Sequence, residues 1–159
     1  MKKFPMTIEG AARLKKELHQ LKTVDRPAVI RAIAEARSHG DISENADYDA
    51  AKDRQGFIEG RIAQIEHRLA SAQVIDPSHI TDADGKVVFG ATVELEDAGT
   101  GEHVTYQIVG DDEADLKHGK ISVSSPIARA LIGKTEGDTA EVVAPAGVRE
   151  YEILAVRYA

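Results

Sequence analysis

Apolar positions in the first half of the chain recur at helical spacing. Ala11, Leu14, Leu18 and Leu21 fall three or four residues apart behind Thr7, whose hydroxyl suits an N-cap, so a helix is predicted to open there. Pro27 interrupts the pattern, and Ile30 and Ile33 resume it. This predicts one long helix, kinked or restarted at Arg26-Pro27, that runs to about Ser38 and stops at Gly40. A second stretch is more regular. Tyr48, Ala51, Gln55, Ile58, Ile62, Ile65, Leu69 and Ala72 alternate spacings of 3 and 4, a heptad seam with one polar interruption. About 28 helical residues at about 1.5 Å each give a rod of roughly 40 Å. Two helices in a globular bundle would need wider apolar faces, so the narrow seam favours an antiparallel coiled-coil hairpin.

The periodicity changes from Val74. Val74-Ile75-Asp76-Pro77 is expected to end the helix, and Asp82-Ala83-Asp84-Gly85 to form a turn. Short β-prone runs follow at Val87–Phe89, Ala91–Leu95, Val104–Val109, Ile121–Val123, Ala140–Val143 and Tyr151–Val156. Asp111–Leu116 and Pro126–Ile132 read as short helices, the second with proline in its first turn. The fold class is therefore α+β: a helical hairpin over residues 1–76, then a compact, mostly antiparallel sheet domain over residues 77–159.

Composition removes several chemistries. None of the 159 residues is cysteine, which excludes disulfides, thiolate metal sites and thiol nucleophiles. The six histidines lack metal-binding spacing, and no serine has a base placed near it in sequence. No signal peptide follows Met1-Lys2-Lys3, and no apolar run reaches about 18 residues, so a soluble cytoplasmic protein with no membrane partner is expected. The net charge of -7 is uneven: residues 1–75 hold 13 Lys and Arg against 11 Asp and Glu, and residues 76–159 hold 7 against 16. Those halves carry +2 and -9, so only the first is suited to meet nucleic acid.

The turn between the helices, His39-Gly40-Asp41-Ile42-Ser43-Glu44-Asn45-Ala46-Asp47-Tyr48, places Asp41 and Glu44 at the hairpin tip. Asp-x-x-Glu before a helix also fits a capping box, and the residues alone favour that reading. The functional alternative starts from Mg²⁺, which takes oxygen ligands in near-octahedral geometry and commonly sits on one or two carboxylates plus phosphate. Two exposed carboxylates hold it weakly, so the remaining ligands would come from another protein. Arg37 before the turn and Lys52 after it are candidate phosphate contacts, with a solvated face as the alternative. Arg61 and Arg68, farther along the seam, fit ion pairs across the hairpin with Glu17 or Glu35 better. Interleaving of these cations with aromatics is not expected, so base stacking is not indicated.

Several longer motifs are familiar. Ala32-Ile33-Ala34-Glu35-Ala36-Arg37 leading into Gly40–Tyr48, then Gln55-Gly56-Phe57-Ile58-Glu59-Gly60-Arg61-Ile62, Ile108–Asp115 and Ser125–Gly133, resemble the bacterial GreA/GreB transcript cleavage factors in order and over the whole chain. The resemblance implies a factor that inserts its hairpin through the secondary channel of backtracked RNA polymerase. There it stimulates the polymerase's own cleavage of the nascent RNA 3′ end, and is no enzyme by itself. Asp41 and Glu44 match the family's tip acids, which share a Mg²⁺ with the polymerase and bind none tightly alone. Arg37 and Lys52 match its basic RNA contacts. The second domain would be FKBP-like and would dock on the β′ coiled coil through Ile121-Ser122-Val123-Ser124-Ser125-Pro126. Ser124 stands where some members carry an acidic or amide residue. The modest positive charge of residues 1–75 is similar to the less basic branch of the family, and a monomer is expected.

Three other readings are kept. An inhibitory relative would dock in the same channel with a different tip. A prolyl isomerase would need an apolar aromatic pocket, whereas Phe89, Tyr106, Tyr151 and Tyr158 are the only aromatics after the hairpin and are assigned to the core. A passive adaptor would use Asp41 and Glu44 only as helix caps.

Overall fold

The computed structural model describes residues 3–40, 45–81 and 83–158. Their contacts form two units, one holding residues 11–72 and the other residues 3–10 together with 73–159.

The first unit is a helical hairpin. Helix α1 (Ile8–Gln20) begins behind Thr7, whose Oγ1 accepts a hydrogen bond from the Gly10 N–H at 3.1 Å. It passes into five π-helical residues, Leu21–Asp25, and then α2 (Arg26–Ser38). The restart expected at Arg26-Pro27 is present, and its effect falls one turn earlier. Pro27 has no N–H to donate and its ring crowds the carbonyl four residues back, so the preceding turn widens into π register. The Arg26 N–H accordingly reaches Leu21 O, and Thr23 turns its hydroxyl onto His19 O at 2.7 Å.

Helix α3 (Ala46–Ala70) returns antiparallel to α2. Val29, Ile33 and Ala36 of α2 are buried, as are Ala51, Ile58, Ile62 and Ile65 of α3. The predicted seam is therefore the packed face, with Tyr48, Gln55 and Leu69 half-buried along it. Ala72 is an exception because α3 ends at Ala70. Ion pairs flank the seam: Lys22 with Glu66 at 3.0 Å, Arg26 with Glu59 at 2.7 Å and Arg61 with Glu17 at 2.6 Å. The last is the cross-hairpin pairing expected for Arg61.

The second unit carries two sheets. Strands β1 (Phe4–Thr7) and β2 (Ala72–Ile75) pair as a small sheet that the periodicity did not predict. Val74-Ile75 is therefore strand rather than helix end. The larger sheet has the order β5-β4-β3-β7-β6, built from β3 (Thr92–Asp97), β4 (His103–Val109), β5 (Lys120–Ser122), β6 (Thr139–Ala144) and β7 (Gly147–Arg157). Three of its pairings are antiparallel, while β4 and β5 run parallel at one edge, with Val109 opposite Ser122. Inward residues alternate along the strands, as in Val93 and Leu95 of β3 or Ala140 and Val142 of β6. Helix α4 (Pro126–Leu131) closes the core with Ala128 and Leu131.

Two expected elements differ. Val87–Phe89 is not a strand: Val87 is fully buried, but its N–H bonds Lys134 O and its carbonyl accepts from Gly133, on the loop after α4. An apolar run became core without a neighbouring strand to pair with. Asp111–Leu116 is not one helix but two 3₁₀ turns, Asp111–Glu113 and Leu116–His118.

Candidate functional site at the hairpin tip

Asp41 and Glu44, the expected acid pair, lie outside the described residues, as do Ile42 and Ser43 between them. The residues on either side are well defined. Helix α2 ends through His39, whose N–H meets Ala36 O, and Gly40 follows at φ +111°, a left-handed conformation that favours glycine. On the return side Asn45 is extended, and its side-chain oxygen accepts from the Tyr48 N–H at 3.1 Å. Asn45 is thus the N-cap of α3.

The same side chain reaches across the hairpin. Asn45 Nδ2 donates to Ala36 O at 2.6 Å, a carbonyl in the last turn of α2 whose other donor is the His39 N–H at 3.3 Å. One amide therefore caps the outgoing helix and ties it to the end of the incoming one. The N-cap position of α3 that the capping-box reading concerned is held by Asn45.

Arg37 and Lys52 are both exposed. The Arg37 guanidinium lies over the Tyr48 ring, 5.8 Å from its centroid. This corrects the expectation that no aromatic interleaves with the tip cations: Tyr48 falls between Arg37 and Lys52 in sequence, and the turn brings its ring to Arg37. Lys52 sits one helical turn beyond Tyr48 and donates to Gln55 Oε1 at 3.1 Å. Tyr48 and Asn45 are the tip residues whose roles the motif analysis missed. The available signal for Asn45 was its residue type immediately before an apolar-periodic helix.

Beside this end α2 and α3 enclose a groove of about 290 Å³, lined by Ala32, Ala36, Ala50 and Ala51 together with Glu35, His39, Asp47 and Arg54. Its charges are mixed in sign, so it is not a phosphate pocket. No cluster of three or more His, Cys, Asp or Glu side chains occurs among the described residues. Farther down the hairpin the Arg61 guanidinium holds the Glu17 carboxyl below the usual carboxylate range, through a hydrogen bond opposed by partial burial.

The expected docking segment lies in the second unit. Ile121 is 4% exposed and belongs to the core, so its side chain anchors the segment from inside. Ser122, Ser124 and Pro126 reach the surface. Ser125 is the N-cap of α4, accepting from the Ala128 N–H at 3.3 Å while donating to Ser122 O at 2.7 Å, and Pro126 occupies the first turn. Ser122 and Ser124 both donate to Asp111 Oδ1, the latter at 2.8 Å. Asp111 was not singled out from sequence, because its link to the segment comes from the parallel β4–β5 pairing. The aromatics Phe89, Tyr106, Tyr151 and Tyr158 belong to the core or pack against it, as expected.

No helix among the described residues is long and apolar enough to cross a membrane. Comparison with known proteins covers the whole chain. A family model described as "Transcription elongation factor, N-terminal" matches residues 4–74, and one described as "Transcription elongation factor, GreA/GreB, C-term" matches residues 82–158. The chain is 70% identical over 158 residues to "Transcription elongation factor GreA" of Neisseria meningitidis serogroup A, covering 99% of both. It is likewise 70% identical to the protein of that name from Verminephrobacter eiseniae, again over 99% of each. Among solved structures it is similar to GreA factor homolog 1 of Thermus thermophilus, at 29% identity, a TM-score of 0.44 and coverage of 98% of this chain and 99% of that one. The matched models span both units, and the chain belongs to the GreA/GreB family of transcription elongation factors.

Proposed function

We propose that this chain stimulates RNA cleavage by a stalled, backtracked RNA polymerase, acting as an accessory factor in the cytoplasm. Its hairpin enters the polymerase's secondary channel and brings Asp41 and Glu44 to the active centre. The observation that carries this reading is the double use of Asn45. It caps α3 and bonds Ala36 O, so the two helix ends that flank the acids are joined by one side chain. Asp41 and Glu44 are thereby carried on a braced mount.

Carboxylate oxygens are the donor type that Mg²⁺ prefers, and two of them fill only part of an octahedral shell. Asp41 and Glu44 would hold the ion jointly with the polymerase. Bound there, it supplies water activation and charge neutralisation at the leaving oxygen of a phosphodiester. The remaining work belongs to this chain's own side chains. Arg37, steadied against the Tyr48 ring, and Lys52, one turn along from Tyr48, offer cationic donors to the RNA backbone near the 3′ end. Binding energy comes chiefly from the second unit, an FKBP-like sheet domain that docks on the β′ coiled coil through the surface around Ser122, Ser124 and Pro126. The factor works as a monomer.

The test is RNA cleavage in a backtracked elongation complex in Mg²⁺ buffer, with and without the protein. Shortened RNA that requires both the polymerase and the Asp41/Glu44 pair supports the reading. Channel occupancy without cleavage would replace it with that of an inhibitor.

A further inference from the structure

The turn that follows β4 has two carboxylates facing different partners. Gly110 is buried, and a Cβ there would come within 2.7 Å of Pro5 O, so the chain turns tightly into Asp111–Glu113. Glu113 closes that turn: its N–H bonds Gly110 O at 2.9 Å, and its Oε2 accepts from the Gly110 N–H at 2.9 Å. The same carboxylate accepts from the Thr7 N–H at 3.0 Å and from the Thr7 hydroxyl. The turn is therefore pinned to β1 from one side.

Asp111 extends from the other side of this pinned turn. Parallel pairing of β4 with β5 sets Val109 opposite Ser122, and the Val123 N–H continues onto Val109 O at 2.8 Å. Asp111, two residues past Val109, is thereby delivered to the Ser122–Ser124 bend. Its Oδ1 accepts from both hydroxyls, which also lie 2.9 Å from each other, and the Ser124 N–H points at Ser122 Oγ at 3.2 Å. Two serine side chains that would otherwise rotate freely in water are thus turned onto one carboxylate oxygen.

We propose that Asp111 is the positioning residue of the docking segment, holding Ser122 and Ser124 in one geometry so that the Ser124-Ser125-Pro126 edge meets the polymerase pre-formed. This rests on the docking reading given above and adds a residue outside the segment itself. An exposed hydrogen bond contributes little to folding, but a surface ordered before binding does not lose that freedom when the partner arrives. An acceptor at position 111 is what the arrangement requires, and the negative charge is not essential to it.

Three variants of the full-length protein test this: Asp111→Ala, Asp111→Asn, and Ser122→Ala with Ser124→Ala. Amide hydrogen exchange in the free protein reads the segment directly. Half-maximal concentration and maximal rate in the backtracked-complex assay read docking and chemistry separately. Asp111→Ala is expected to speed exchange at Ser124 and raise the half-maximal concentration by about tenfold, with the maximal rate unchanged. The double serine variant should behave alike, and Asp111→Asn, which keeps the acceptor oxygen, should stay near wild type. Unchanged exchange and concentration dependence in Asp111→Ala would overturn the proposal, as would an Asp111→Asn variant as impaired as the alanine. Failure of the wild-type protein to act on the polymerase would instead overturn the docking reading, while the exchange result would still decide the positioning of the segment.

Discussion

Glu113 accepts hydrogen bonds from the backbone N–H and the hydroxyl of Thr7, a residue 106 positions earlier in the chain. Thr7 in turn accepts from the Gly10 N–H, so the first turn of α1 is capped by a relay ending on a carboxylate from the sheet domain. Gly10 is part of the same arrangement: a Cβ there would overlap the Glu113 carboxylate.

Removing that carboxylate leaves the N–H groups of Thr7 and Gly110 without their acceptor. Glu113→Ala is expected to destabilise the protein by about 2 kcal/mol, the usual scale for hydrogen bonds to a charged group. Gly10→Ala should cost a similar amount through steric overlap. The two together should cost less than their sum, because the alanine at position 113 removes the atoms that Gly10→Ala would strike. Urea unfolding of the single and double variants measures this coupling, and strict additivity would contradict the shared contact.

Asn45→Ala removes both the cap of α3 and the bond to Ala36 O. A loss of about 1 kcal/mol in hairpin stability is expected from the cap alone. Cleavage stimulation should fall further than the stability change explains, because the acids lose their braced mount. Asn45→Asp keeps the cap but not the amide donor. Comparing the two variants by far-ultraviolet circular dichroism and by RNA cleavage separates capping from bracing.

The tip acids should behave in the opposite way. Asp41→Asn with Glu44→Gln is expected to abolish stimulated cleavage while leaving hairpin stability within about 0.5 kcal/mol of wild type, the range of surface substitutions. Competition with unmodified protein for the polymerase should be nearly unaffected. A large loss of helix stability with cleavage intact would return the pair to a capping role.

Acid should weaken the hairpin through Glu17. Its carboxyl is held below the ordinary value by the Arg61 guanidinium, so the folded state binds this proton less readily than the unfolded chain. The stabilisation is therefore present above the unfolded value of about 4.3 and is lost as pH falls through the folded value. Partial exposure of both side chains keeps the effect below about 1 kcal/mol. Thermal melts of wild type and Glu17→Gln should differ at neutral pH and converge once the pH has fallen through the folded value, and a gap that persists in strong acid would contradict this assignment.

Much of the helical unit was legible in sequence, for a physical reason. A heptad seam is a local periodicity, and Ala51, Ile58, Ile62 and Ile65 must face a partner helix wherever it lies. Most strands of the larger sheet were legible from β-prone runs between turn residues, although α4 proved one residue shorter than expected. The role given to Asp41 and Glu44 came from the resemblance of the tip motif as a whole, because residue type and spacing alone fit a helix cap as well. The structural surroundings of that motif were not. Arg37 over Tyr48 and Asn45 on Ala36 O both cross the hairpin turn, where sequence separation says nothing about direction.

The chain by itself therefore determined its helices and the strands of its larger sheet, because each follows from local pattern, while the two acids on which the proposed chemistry rests were marked by the resemblance of the tip motif. Only the tertiary structure decided that Phe4–Thr7 and Ala72–Ile75 form a sheet, that Val87–Phe89 is core rather than strand, and that β5 lies parallel to β4. The last choice brings Asp111 to Ser122 and Ser124, as the meeting of β1 with the sheet domain brings Glu113 to Thr7. Backbone donors and short polar side chains carry no periodic signal of their partners. Their pairing is settled only when the apolar core brings distant segments within about 3 Å of each other.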